Sequence, residues 1–94
     1  MRTYAVYILT NEIYGTLYIG MTNDLARRTE EHRLHLVPGF TKQHKLDRLV
    51  WYEIHETAYA AITREKQLKA WKRAWKVRLI QETNPEWLDL SASL

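Results

Sequence analysis

Cysteine is absent from the 94 residues, so neither a disulfide nor a thiolate-held metal braces this chain. A reducing compartment, the cytoplasm, is the expected location. Glycine is scarce at three residues and proline scarcer at two, and no Gly/Ser linker, internal repeat or low-complexity tract divides the sequence. A single domain over residues 1–94 with one modest core is therefore expected. A membrane-spanning apolar run is missing too, and Met1-Arg2-Thr3 leads straight into strand-like sequence without an apolar signal segment, so no membrane association is expected. What is present suffices for a packed globule: 46% hydrophobic and 12% aromatic residues, four of them Trp, argue against disorder.

Three stretches read as strands. Tyr4-Ala5-Val6-Tyr7-Ile8-Leu9 is rich in β-branched and aromatic residues, Asn11 to Gly15 supplies turn chemistry, and Leu17-Tyr18-Ile19-Gly20 resumes the pattern. The sequence thus predicts a hairpin with strands over Tyr4–Thr10 and Thr16–Met21, and a third strand over Leu49–Glu56. Thr22-Asn23-Asp24 offers N-cap residues and an early negative charge, so a helix should begin near Asp24 and run to Leu36. A loop from Val37 to Asp47 follows. Helical pattern returns near Ala58 and continues to about Thr83, with bulky Trp71 and Trp75 and a loose apolar phase near Ala70–Lys72 marking a break into two helices. The order ββαβαα with so few strands predicts an α/β, more strictly α+β, domain: a small three-stranded sheet with flanking helices.

The net charge is +3 and the isoelectric point about 9.3, basic without being extreme. Distribution says more than the sum. Arg64, Lys66, Lys69, Lys72, Arg73, Lys76 and Arg78 stand against a single acid, Glu65, a local balance of +6 that leaves −3 for the rest of the chain. Such a block suits a polyanion, although a solvated helix face is the plainer reading. Within it Lys66, Lys69, Arg73 and Lys76 recur at intervals of three, four and three residues, one helical face that could track a phosphate backbone. Lys42, Lys45 and Arg48 could extend it. No element looks fit to read bases, so little sequence specificity is expected.

Two positions break the apolar pattern informatively. On the first predicted helix a 100° step puts Leu25, Thr29, His32 and Leu36 on one face, with Arg28 leaning toward the sheet and Arg27 pointing to solvent. On the second, Ala58, Ala61, Ile62, Glu65, Leu68, Trp75 and Leu79 form the buried stripe, with Glu65 near its middle. A carboxylate there is costly unless a cation, a metal ion or a hydrogen-bond donor meets it. Two tyrosines on paired strands, an inward arginine, a histidine one turn later and an embedded glutamate make a constellation that could act together.

That pattern is specific as a whole. Tyr7, Tyr18-Ile19-Gly20, Arg28 eight residues beyond Gly20, His32 twelve beyond it and a glutamate on a later helix resemble the GIY-YIG nuclease superfamily, in particular its small single-domain bacterial branch. The likeness runs over nearly the whole chain. Ala5-Val6-Tyr7 stands where the first motif would, with Ala and Val in place of Gly and Ile, and the second motif is intact. The resemblance implies catalytic roles for Tyr7, Tyr18, Arg28, His32 and Glu65, with Glu65 as the metal-binding residue for Mg²⁺ or Mn²⁺. Gly20, Lys66, Lys69, Arg73, Lys76 and Asn84 are expected on the substrate side. The activity so implied is a divalent-metal-dependent endonuclease acting on DNA, with a place in repair or recombination and a protein partner that could supply targeting.

The chemistry agrees with these roles. Phosphodiester hydrolysis needs an activated water, neutralised phosphate charge and help for the leaving oxygen. One carboxylate together with substrate phosphate could hold a hard ion that keeps most of its waters, and Arg28 offers a planar fork for phosphate oxygens. Tyr7 is the expected general base, with Tyr18 beside it. An ordinary phenol pKa of about 10 leaves roughly one phenolate in a thousand at pH 7, so Arg28 and the metal are expected to lower it. Plainer alternatives stand beside each role: core tyrosines with satisfied hydroxyls, a Glu65–Arg28 salt bridge, His32 closing the core edge, and Asn84 as a helix C-cap before Pro85. His32 and His35 form a His-x-x-His pair without further metal ligands, and Trp71 and Trp75 read as core more readily than as stacking platforms. For the whole chain the alternatives are a non-catalytic nucleic-acid-binding module and a protein adaptor using the Trp-rich end, Trp71 to Trp87.

Overall fold

The computed structural model describes residues 3–94; Met1 and Arg2, on which part of the amino-terminal reading rests, lie outside the described residues. Strand β1 (Tyr4–Thr10) is the middle of a three-stranded antiparallel sheet, flanked by β2 (Leu17–Thr22) and β3 (Arg48–His55) in the order β2-β1-β3. A middle strand is covered on both faces, which is why β1 is buried without interruption from Ala5 to Thr10. Helices α1 (Leu25–Arg33), α2 (Phe40–His44), α3 (Ala58–Ala70) and α4 (Arg73–Thr83) surround the sheet, and a 3₁₀ turn over Leu90–Ser93 closes the chain. Asp24 caps α1 by accepting the Arg27 N–H at 3.1 Å, and Thr57 caps α3 by accepting the Ala60 N–H at 3.1 Å. No helix among the described residues is long and apolar enough to cross a membrane.

Alternation along β1 sends its side chains into two separate cores. Val6 and Ile8, with Ile19, Val50 and Trp51, pack against Ala61, Leu68, Ile80 and Trp87. On the opposite face Tyr7 and Leu9 pack with Leu46 and Leu49, against half-buried Tyr18, Leu25 and Leu90. The register puts Tyr7 opposite Gly20 on β2 and opposite Tyr52 on β3, with an irregularity between Ile8 and Leu9 that shifts the pairing by one residue. The sheet with flanking helices is the α+β architecture expected from the sequence.

Four expectations need correction. Helix α1 ends at Arg33 instead of Leu36, because His35 adopts a left-handed φ of 58°. His35 N–H then bonds the His32 carbonyl and Leu36 N–H the Glu31 carbonyl, a Schellman closure that turns Leu36 outward to 67% exposure. The expected loop from Val37 to Asp47 contains α2, which enters through Gly39 at φ 101° and leaves through Lys45 at φ 56°. The predicted break falls at Trp71 and Lys72, both with extended ψ near 150°. It resets the helical phase beyond it, so Trp75 is exposed while Ile80 is buried; within α3, Ile62 is exposed as well. The Trp-rich end is accordingly mixed: Trp87 is fully buried, Trp71 packs against the core, and Trp75 is 51% exposed.

Candidate active site

Tyr7 lies on the face of β1 that meets α1, and its ring is 6.4 Å from that of Tyr18 between centroids. The position depends on Gly20. A Cβ on Gly20 would stand 2.5 Å from both Cζ and Oη of Tyr7, so the glycine leaves open the space that the phenol ring fills. The expected substrate contact at Gly20 is corrected by this packing: the residue is buried under Tyr7 and seats the ring.

The Tyr7 hydroxyl lies 3.2 Å from His32 Nε2. The other ring nitrogen, His32 Nδ1, lies 3.1 Å from Thr41 Oγ1 on α2. His32 and Thr41 are both buried, and burial, followed by the nearby Arg28 charge, pushes the His32 pKa down to about 4, with Glu31 opposing. The imidazole is therefore neutral at pH 7, with one nitrogen donating and the other accepting. Arg28 is half-buried beside Tyr7 and pairs with Glu31 at 3.4 Å, while Arg27 is exposed and pairs with Asp24, the inward and outward division expected from helical phase. Burial works against the Arg28 charge, but the neighbouring Tyr7 and Glu31 raise its pKa above the ordinary value.

Burial also dominates Tyr7. It pushes the phenol up to about 12; the neighbouring Arg28 guanidinium opposes the rise, and the electrostatic influence of Tyr18 and Glu65 adds to it. The expected lowering by Arg28 is thus outweighed, because taking a phenolate out of water costs more than one half-exposed guanidinium returns. Glu65 sits on α3 between buried Ala61 and Leu68, half-buried itself, with Lys69 Nζ 3.6 Å from its carboxylate. No Glu65–Arg28 bridge forms among the salt bridges of the described residues: Arg28 takes Glu31 and Glu65 takes Lys69. Among the described residues no three His, Cys, Asp or Glu side chains cluster as a metal cage. The donor set fits an ion held by one hard carboxylate, water and substrate oxygens, with Glu65 as the protein's share.

The expected substrate side divides. Lys66 is exposed, but Lys69 is paired with Glu65 and Arg73 donates to the Tyr14 and Gly15 carbonyls at 2.7 Å each, fastening α4 to the hairpin turn. With the break at Trp71 and Lys72, Lys66 and Lys69 belong to one helix and Arg73 and Lys76 to another, so the single basic face is corrected. Asn84 is corrected as well. It is buried at the C-cap of α4, donates to the Val50 and Leu88 carbonyls and accepts the Leu88 N–H, which makes it a tether between α4, β3 and the chain beyond. Thr41 and Glu31, which complete the site, were not found from sequence. A five-residue helix is too short for periodicity to reveal.

The structure thus brings together a buried tyrosine hydrogen-bonded to a helix histidine and an arginine alongside it, on a three-stranded sheet with a glutamate on a later helix. Residues 3–78 match the GIY-YIG catalytic domain, and the chain belongs to that family. UPF0213 proteins of Staphylococcus aureus strains Mu50 and N315 are 35% identical over 82 residues, covering 87% of this chain and 99% of theirs. The solution NMR structure of a UPF0213 protein from Bacillus halodurans superposes with a TM-score of 0.59 at 25% identity, covering 93% of this chain and 92% of that one.

Proposed function

We propose that this protein, acting as one domain over residues 1–94, is a divalent-metal-dependent endonuclease that hydrolyses DNA phosphodiester bonds with little sequence specificity. Membership of the GIY-YIG family supports nucleic-acid binding and a nuclease-type reaction. The observation that carries the finer reading is the Tyr7 hydroxyl held on His32 Nε2 at 3.2 Å with Arg28 beside it. Cytoplasmic DNA repair or recombination, with a protein partner for targeting, is the setting that goes with it.

The residues divide the work. Arg28 binds the scissile phosphate through its planar fork, and Tyr18 lines the same face. Tyr7 accepts a proton from the attacking water as its own proton moves to His32 Nε2, and Thr41 accepts from His32 Nδ1–H so that Nε2 is free to receive it. With the phenol pKa raised and the imidazole pKa lowered by burial, complete transfer is uphill, so the two protons move together. A divalent ion on Glu65, when bound, supplies positive charge that neutralises the phosphate and eases deprotonation nearby.

The high Tyr7 pKa also favours a second reading, a GIY-YIG module that binds nucleic acid and cleaves slowly or not at all. Incubation of purified protein with supercoiled plasmid and branched DNA, with Mg²⁺, Mn²⁺ or chelator, separates the two. Metal-dependent nicking by wild type, lost by at least about a hundredfold in Tyr7→Phe and Glu65→Ala, is the expected result. Binding without cleavage under every metal condition establishes the module. Equal nicking by all three proteins ends the catalytic assignment.

A further inference from the structure

A cleft of about 400 Å³ lies between Trp71, Trp75, Arg78, Leu79 and Glu82, residues that take no part in the Tyr7 site. Its aromatic walls are two indoles meeting edge to face, with centroids 6.0 Å apart and planes at 85°. Trp71 is held firmly: it packs against the core, and the Arg64 guanidinium lies over its ring at 5.3 Å. Trp75 keeps half its surface open, with Lys72 Nζ 5.7 Å from the ring centroid. At the rim Arg78 and Glu82 are 4.0 Å apart with side chains 83% and 61% exposed, too solvated to be committed to one another.

That combination selects a ligand. Indole faces and Leu79 suit a flat ring, and an adjacent donor and acceptor, Arg78 and Glu82, match a ring whose edge carries both. Lys72 and Lys76, which form no ion pair among the described residues, add positive charge next to the cleft. A planar heteroaromatic ring attached to an anionic backbone is a nucleotide in a strand. We propose that this cleft stacks one unpaired nucleobase of single-stranded or frayed DNA, with the neighbouring phosphates on Lys72 and Lys76. The proposal rests on the nucleic-acid reading above and narrows it: a base inside a duplex is stacked on both sides and cannot enter, so the favoured substrate carries an unpaired stretch.

Fluorescence gives a direct readout, because Trp51 and Trp87 are buried and a strand can reach only Trp71 and Trp75. Wild-type protein in chelator is titrated with an oligothymidine, with a strand of the same length bearing abasic sites, and with a blunt duplex. The oligothymidine quenches emission and binds about tenfold more tightly than the abasic strand. Trp75→Ala, at an exposed position, removes that preference while its far-ultraviolet spectrum stays unchanged, and Trp75→Phe keeps part of it. Equal affinity for thymidine and abasic strands, tightest binding to the duplex, or no quenching by any of them overturns the proposal; the last outcome leaves the cleft to a protein partner. Failure of the nuclease reading is distinct: base-dependent binding without metal-dependent nicking refutes catalysis and leaves the cleft assigned, and nicking without base preference does the reverse.

Discussion

A methyl group at position 20 has nowhere to go, since the Tyr7 ring already occupies its place at 2.5 Å. Backbone at a buried strand cannot retreat far, so Gly20→Ala should cost about 2 kcal/mol of stability and push the Tyr7 hydroxyl off His32. Tyr7→Phe does not relieve the clash, because Cζ is as close as Oη, whereas Tyr7→Ala does. Denaturant unfolding of the six combinations, Gly or Ala at position 20 with Tyr, Phe or Ala at position 7, checks this: the cost of Gly20→Ala should vanish in the Tyr7→Ala background and persist in Tyr7→Phe. His32 makes a second prediction at the same scale. Its folded pKa near 4 lies below the ordinary 6.5, so the unfolded chain takes up the proton first as pH falls. The stability that depends on neutral His32 is complete above pH 6.5 and fades toward pH 4, about 2 kcal/mol being lost by pH 5. Unfolding curves at pH 8 and pH 5 should differ by that much more in wild type than in His32→Asn.

Among the elements, the smallest bears most on the proposed chemistry. Helix α2 spans only Phe40–His44, yet it brings Thr41 to His32 Nδ1 and thereby settles which histidine nitrogen faces Tyr7. Thr41→Val keeps the volume and removes the hydroxyl; in the proposed mechanism, where Nδ1–H donates to it, the buried N–H loses its partner at a cost of about 1–3 kcal/mol and the opposite tautomer is favoured. Nicking should fall about tenfold or more in Thr41→Val and survive in Thr41→Ser, with DNA affinity unchanged in both; equal rates in all three proteins would remove Thr41 from the site. Sequence patterns reached the longer elements because those carry their own signals: the apolar run of β1, the Asp24 cap of α1, the bulky Trp71 at the helix break. They did not reach α2, nor the end of α1 at His35, where a residue other than glycine adopts a left-handed turn that only the closing hydrogen bonds explain. Asn84 was legible as a C-cap, but its bond to the Val50 carbonyl joins residues 34 apart and leaves no local trace.

For the molecule as a whole, the members of the candidate site were legible as residue types at set spacings, but their electrostatics were not. Spacing places Tyr7 near Arg28; only the burial of the ring decides that desolvation outweighs the guanidinium. The same distinction governs the basic block. Seven cations between Arg64 and Arg78, all meeting phosphate, would give a salt dependence of log K on log[salt] of about −6. The fold withdraws several of them. Arg64 is held by Glu53 at 3.1 Å, Lys69 by Glu65 at 3.6 Å, and Arg73 by two backbone carbonyls. Lys66, Lys72, Lys76 and the solvated Arg78 remain, and a body of 33 × 29 × 25 Å covers no more than about one turn of duplex. Four free cations predict a slope of about −4. Binding titrations from low to moderate salt should be made in chelator, so that Lys69 stays on Glu65. A slope near −6 would mean that the intramolecular pairs open on DNA; one near −4 means that the fold has already fixed which charges the nucleic acid can meet.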